Sequence, residues 1–437
     1  MTADLILFRH GQAENPGSEK DDFHRVLTQN GIDALKKNMV QLRTLLRADQ
    51  TTYLWCSPLL RAKQTAEILA EELTISEWHC FDWIGDGDGS HLSSELEKLV
   101  PPFNLIVVGH EPYLSDWSSK ICGCKVPYQK GAAACFNLVD LKTPSGILEW
   151  ICWPEPRIKE NRPAGKQTQS FLIYCLQEII IAQKQFELKP DNADSVHHLR
   201  VKIRQFRSLL SFFEPLLDSG TCEEIQNQMK RQSGALADLR RLDVLAEAWE
   251  GFRVRFTDHA ISEDTFSKSL QKERNLQITK MSADHAAEQS RKACSSLLPW
   301  LLDESWDSIP DRSFRDFSEK QMKKWGKEPR KEFLHADLSS LESVHAVRIK
   351  LKKLRYASKI LGSPLGKRIK IPFDLEEMLD LLGEYIDAKT GILLLEELRL
   401  KYKLKPFQYQ SGILTGYYSC RAEQLREELV SKRSSIN

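Results

Sequence analysis

The chain has 437 residues, too many for one ordinary domain, so two or three are predicted. Its 62 Lys+Arg and 61 Asp+Glu leave a formal net charge of +1, which excludes a uniformly basic polyanion binder, and 41% hydrophobic residues exclude wholesale disorder. The total hides an asymmetry: 15 basic and 21 acidic residues through Arg157 give −6, and the remaining 47 basic and 40 acidic give +7. An acidic first part joined to a basic second part points to a polyanionic partner for the second.

In chain order, Leu5–Phe8, Thr52–Cys56 and Leu105–Val108 predict buried strands. Gln29–Arg47 and Leu59–Leu73 have helical spacing, and Ala132–Val139 and Gly146–Trp153 add two more strands. This alternation predicts an α/β domain with a mostly parallel sheet. Around Pro154–Pro156 and Asn161–Gly165 the texture turns to Pro, Gly and charge, as in a linker. Beyond about Lys166 the strand signal vanishes, and long amphipathic helices broken at Pro190, Ser219-Gly220, Pro310 and Pro372 predict an all-α second half. The expected division is 1–155, a linker at 156–165, and 166–437, the last in two repeats of about 166–308 and 309–430. The repeat is visible directly: Val196-His197 through Arg207 aligns with Val344-His345 through Arg355.

The opening apolar run Leu5–Phe8 is far short of a secretory segment, and no run is long enough to span a bilayer. Ten scattered cysteines, with only Cys122 and Cys124 close together, fit reduced buried thiols in the cytoplasm and make a weak metal signal. His197-His198 is an equally weak one, because adjacent helical residues point about 100° apart.

Three motifs follow predicted strands, where α/β folds gather functional groups. They are Arg9-His10-Gly11, Ser57 through Arg61 to Glu67, and Gly109-His110-Glu111-Pro112. Two arginines and two histidines in one crevice suit phosphoryl chemistry. Guanidinium forks bind phosphoryl oxygens, and a neutral imidazole can attack phosphorus. Ser57 reads as the N-cap of the following helix. Gly362 through Gly366-Lys367 is one residue too short for a P-loop.

On these motifs, and on Asp21 through Arg25 to Gly31, residues 1 to 155 resemble the histidine phosphatase superfamily, specifically the SixA-type phosphohistidine phosphatases. The resemblance implies an α/β three-layer fold. It implies His10 as the phospho-accepting nucleophile, with Arg9, Arg61 and His110 completing the pocket and Arg25 as a further phosphate ligand. It implies no metal and no cofactor. Asp82, Asp86, Asp88 and Glu111 are the carboxylates weighed as a general acid, and none is placed. Glu111 stands where the family often carries Asn.

On a helix, His197, Arg200, Arg204 and Arg207 fall in one narrow stripe, and His345, Arg348, Lys352 and Arg355 form a second of identical spacing, extended by Lys359. Like charges on one face repel, so the stripes call for an anion, either internal carboxylates or a ligand. These segments resemble the CHAD domain, a duplicated all-α helical-bundle domain that binds inorganic polyphosphate. The resemblance implies that all eight residues line a basic channel. It departs from the family pattern at Arg240-Arg241, with only Asp243 kept, and at Ile386 before Asp387. Trp249, Trp300, Trp306 and Trp325 are expected as core anchors.

The expected function is a cytoplasmic phosphohistidine-type protein phosphatase, targeted by polyphosphate or sensing it, and associated with polyphosphate granules. Its partners would be polyphosphate and a phosphohistidine-bearing protein, with no membrane and with nucleic acid a less favoured polyanion. Two alternatives stand: a phosphatase acting on polyphosphate or a small phosphomonoester, and a non-enzymatic granule-binding protein.

Overall fold

A computed structural model describes residues 2–15, 17, 21–156, 158, 162–255, 264–284, 286–307, 309, 313–365 and 375–436. Part of the expected linker, Pro310, Pro372 and Gly366-Lys367 lie outside the described residues. The chain divides into two compact units, Met1–Arg157 with Pro163–Glu187 and Glu288–Pro310, and Ile158–Arg162 with Leu188–Ala287 and Asp311–Asn437.

The α/β region runs β1 (Ala3–Arg9), α1 (Gln29–Leu45), β2 (Thr51–Cys56), α2 (Leu60–Leu73), β3 (His79–Cys80), α3 (Asp82–Asp86), α4 (His91–Leu96), β4 (Phe103–Gly109), α5 (Tyr113–Cys122), β5 (Ala133–Asp140) and β6 (Ser145–Cys152). The helices that follow are α6 (Ala164–Leu188), α7 (Ala193–Phe213), α8 (Ser219–Ala235), α9 (Ala237–Arg255), α10 (Thr265–Ala283), α11 (Ala286–Ser295), α12 (Leu298–Leu302), α13 (Phe314–His335), α14 (Leu341–Leu365), α15 (Leu375–Lys401) and α16 (Lys405–Ile436).

The sheet order is β3-β2-β4-β1-β5-β6. The first four strands are parallel, and β5 and β6 join antiparallel. Every residue of β4, and all of β1 before Arg9, is buried, as expected of strands covered on both faces. The buried Asp4 on β1 is held by Arg47 at 2.6 Å and Asn137 at 2.8 Å. The register pairs Arg9 with Gly109 and Cys56 with Val108, so β1, β4 and β2 end at one level. The residues just past those ends, His10, His110 and Ser57, therefore share one crevice. Helix α6 and most of α11 and α12 belong to this first unit, where Gln177 bonds Trp153 and Ser295 bonds the Glu149 carbonyl.

The second unit is helical. Its core holds Trp249, Phe206, Phe212, Phe213, Phe266, Phe407 and Tyr385. Trp306, in the first unit, is also buried, whereas Trp300 and Trp325 are half-buried, and Trp325 meets Phe212 edge-on at 5.2 Å. Pro190 follows the end of α6 as expected. Ser219 opens α8 behind an Asp218 cap rather than breaking a helix. The two helices bearing the repeated motif, α7 and α14, pack against each other.

Candidate active site and basic helix pair

His10 follows β1 directly and is 5% exposed. Its Nδ1 lies 2.7 Å from the Gly11 carbonyl, which can only accept, so Nδ1 carries the proton and Nε2 keeps its lone pair. Arg61, in the first turn of α2, donates Nε–H to that Nε2 at 3.3 Å. Burial, then the neighbouring His110, then Arg61 and Arg9, push His10 down to about 2, while the Gly11 bond works the other way. His110, whose ring centroid is 5.0 Å from that of His10, is pushed down to about 4 by burial and by Arg61. Both rings are neutral at ordinary pH. Arg9 anchors one arm on the Tyr128 carbonyl at 2.7 Å, and its buried Nε has no hydrogen-bond partner. The sheet thus brings Arg9, His10, Arg61 and His110 together.

Asp22 and Lys130 take part in the pocket beyond the sequence reading, and Ser57 takes another role than the one read for it. Asp22 accepts from Arg61 Nη2 at 2.9 Å and pairs with Arg25 at 2.8 Å, which draws Arg25 beside the pocket. Lys130 is close enough to be pushed down by burial and by Arg9, Arg25 and Arg61. Ser57 is not a helix N-cap. That position is Leu59, which makes no side-chain cap bond, and the Ser57 hydroxyl is 2.7 Å from His110 Nε2. Ser57 directly follows a strand in register with the histidine strands, a fact only the sheet reveals. Glu111 is occupied structurally: its carboxylate accepts from the Tyr128 N–H at 2.6 Å and from the Ser115 hydroxyl at 2.8 Å. Asp88 caps its own loop through the Ser90 N–H.

In the second unit the two stripes face each other. The charge of Lys352 on α14 reaches His197 on α7, and that of Arg204 on α7 reaches His345 on α14. Lys352 is pushed down to about 7 by burial, then by Arg348 and Arg204, with Asp387 opposing. Arg200 is pushed down to about 10 by burial, Arg204 and Arg240, and it donates to the Ser233 carbonyl. The buried Nε atoms of Arg200 and Arg348 have no hydrogen-bond partner. Among the described residues, Arg204 and Lys352 have no salt bridge. Arg207 and Arg355 are held aside, the first by Gln226 at 3.0 Å and the second by Glu376 at 2.9 Å. Gly383 on α15 leaves room for the Arg348 guanidinium, whose Nη2 would lie 2.9 Å from an added Cβ. Asp243 is buried against Arg274 at 2.7 Å, away from the stripes, and Arg240 adds a cation beside His197 and Arg200. Among the described residues, no group of three or more His, Cys, Asp and Glu could hold a metal, and no helix is long and apolar enough to cross a membrane.

The family model of the histidine phosphatase superfamily (branch 1) matches residues 5–87, and that of the CHAD domain matches 175–396. An uncharacterized protein of Picosynechococcus sp. is 33% identical over 121 residues, covering 27% of this chain and 72% of its own length. A structure of the protein histidine phosphatase SixA complexed with tungstate aligns at 21% identity and a TM-score of 0.30, over 35% of this chain and 97% of that one. The CHAD domain from the plant Ricinus communis aligns at 19% identity and a TM-score of 0.47, over 64% and 94%. The chain belongs to the CHAD domain family and carries, ahead of that domain, a histidine phosphatase superfamily domain.

Proposed function

We propose that the N-terminal unit hydrolyses phosphohistidine through a phosphoenzyme on His10, and that the helical unit binds inorganic polyphosphate through α7 and α14. The observation that carries the first reading is the fixed tautomer of a neutral His10, whose unprotonated Nε2 accepts from the Arg61 Nε–H. In the first step Nε2 attacks phosphorus, the P–N bond of the substrate breaks, and an imidazole that has taken a proton from solvent leaves neutral. Arg61, Arg9 and Arg25 hold the equatorial oxygens. In the second step water attacks phosphorus, and phosphate and free His10 are released. An imidazole leaving group suits a pocket whose carboxylates are engaged elsewhere, Glu111 by hydrogen bonds and Asp22 by two arginines.

The second reading rests on the half-buried cations of α7 and α14, above all Lys352 and Arg204, which make no salt bridge among the described residues, and on the buried, unpartnered Nε atoms of Arg200 and Arg348. A phosphate chain would supply those anions and bring the enzyme to polyphosphate bodies in the cytoplasm. The domain division proposed with this function is 1–155 for the phosphatase and 166–437 for the polyphosphate domain.

The test is hydrolysis of phosphohistidine protein, phosphoramidate and polyphosphate by wild type and His10→Ala, with acid-labile phosphate trapped on the enzyme. Wild-type turnover of phosphohistidine with loss in His10→Ala is expected. Inert wild type would sink the enzymatic reading, and turnover of polyphosphate alone would replace the substrate. Binding is tested with Arg204→Glu/Lys352→Glu, which should abolish polyphosphate retention. Unchanged retention removes the channel.

A further inference from the structure

Cys56 is the last residue of β2 and Cys80 the last of β3, and the two are Cα partners in a parallel ladder. Neighbouring strands run about 4.8 Å apart, inside the ~4.4–6.8 Å window for a disulfide. Their sulfurs are 3.0 Å apart. The pair differs in access: Cys56 is buried and Cys80 is exposed. Strand β3 is a two-residue edge with β2 as its neighbour in the sheet order, so it can give way when the sulfurs close. Elsewhere Cys135, Cys152, Cys175, Cys222 and Cys294 are buried, and Cys122 hydrogen-bonds the Ser118 carbonyl.

The position matters because Cys56 is one peptide bond from Ser57, whose hydroxyl holds His110 at 2.7 Å. Two residues further on, Leu59 is the cap of the helix that carries Arg61. We propose that Cys56 and Cys80 are an oxidative modification site, joined by peroxide-class oxidants into one intramolecular disulfide that lowers turnover by shifting Ser57 and His110. The control of turnover rests on the phosphatase reading above, and the modification itself does not.

The chemistry balances with one peroxide. The exposed Cys80 thiolate attacks a peroxide oxygen, the O–O bond breaks, and a sulfenic acid and hydroxide form, the hydroxide taking up the proton released when the thiol ionised to give one water. Cys56 then attacks the sulfenic sulfur, the S–S bond forms, and the hydroxyl leaves as a second water with the Cys56 proton. Burial, then the hydrogen bond and charge of Cys80, push the Cys56 thiol up, which leaves Cys80 as the attacking partner and Cys56 as the resolving one. The sulfurs must close by about 1 Å to a ~2.05 Å bond, and a displacement of that size beside reacting groups costs up to ~100-fold in rate.

The full chain is treated with thiol reductant or with hydrogen peroxide, free thiols are alkylated, and peptides are mapped by mass. A Cys56–Cys80 crosslink lighter by two hydrogens is expected, with kcat on phosphoramidate ~10- to 100-fold lower and restored by reductant. Cys80→Ser should keep its turnover under peroxide, and Cys56→Ala should form no crosslink. Cys80 carried to a sulfinic acid with no crosslink overturns the site, and a crosslink that leaves turnover unchanged overturns the control. A crosslink in a protein inert when reduced supports the site and removes the phosphatase reading instead.

Discussion

Asp22 grips Arg61 at two points: its Oδ2 accepts from Nη2 at 2.9 Å and its backbone carbonyl from Nη1 at 2.7 Å, while the Nε–H of the same guanidinium donates to His10 Nε2. A phosphoryl group entering the pocket competes with this internal carboxylate for Arg61 and Arg25. Asp22→Asn removes the competing charge. Since partly exposed pairs are worth about 0.2–1 kcal/mol each, KM and the inhibition constant for inorganic phosphate should both fall, by up to about tenfold. Steady-state kinetics check this, and a rise in both constants would show that Asp22 orients the arginines instead of blocking them.

The depressed histidines make a stability prediction with a definite sign. Unfolded, His10 and His110 bind protons below about 6.5, whereas folded they stay neutral down to about 2 and about 4. The unfolded chain therefore binds more protons, and stability is lost as pH falls from about 6.5 toward 4, by a cost on the order of a few kcal/mol. Chemical denaturation at pH 7, 6 and 5 should show this decline, and His110→Asn should make it shallower.

The same neutrality governs rate. With His10 pushed down to about 2 and His110 to about 4, both rings are uncharged across pH 5.5 to 8, and the enzyme's own histidines impose no limb on kcat/KM in that range. A rise in kcat/KM with pH near 6.5 for a substrate that does not itself titrate there would contradict the picture of His10.

Lys352 sits among Arg348, Arg204 and Arg355, with Asp387 as the opposing charge. Folded, it gives up its proton near 7, and unfolded near 10.5, so the native state gains stability as pH rises through that window. Lys352→Met should raise the melting temperature at pH 6.5 and weaken polyphosphate binding, a trade of function against stability. In wild type, affinity should tighten as pH falls through 7, because a bound anion favours the charged lysine. Thermal melts and binding isotherms at pH 6 and 8 test both parts.

Gly383→Ala separates binding from folding. The new methyl would lie 2.9 Å from the tip of the Arg348 side chain, which can swing away. Stability should change by less than about 1 kcal/mol, in line with a helical Gly→Ala exchange, while polyphosphate affinity falls several-fold. Calorimetry and a binding assay on one sample decide it.

Much of this was legible in the chain itself. Buried strands announce themselves as short apolar runs, and β1, β2 and β4 lie within a residue or two of Leu5–Phe8, Thr52–Cys56 and Leu105–Val108. The two-residue strand β3 carries no such run, so it was invisible, and with it the Cys56–Cys80 pairing. Ser57 looked like a cap because Ser before a helix usually is one. Only the strand register shows that it lies just past β2, level with His10 and His110. Asp22 and Arg240 act through contacts across the fold, 39 residues from Arg61 for the first, and no local pattern records such distances. Half-sites repeated at equal spacing, by contrast, are read without any structure.

The facing of α7 and α14 has a consequence for the free protein. A helix pair that half-buries Lys352 and buries two unpartnered arginine Nε donors, with Asp387 as the opposing charge on Lys352, is an incomplete salt, and on the reading proposed above its missing counter-ion is polyphosphate. Anything that fills that role stabilises the folded state in proportion to the logarithm of its concentration. The heat tolerance of the second unit should therefore serve as a gauge of the polyphosphate around it, with no moving part beyond the fold itself.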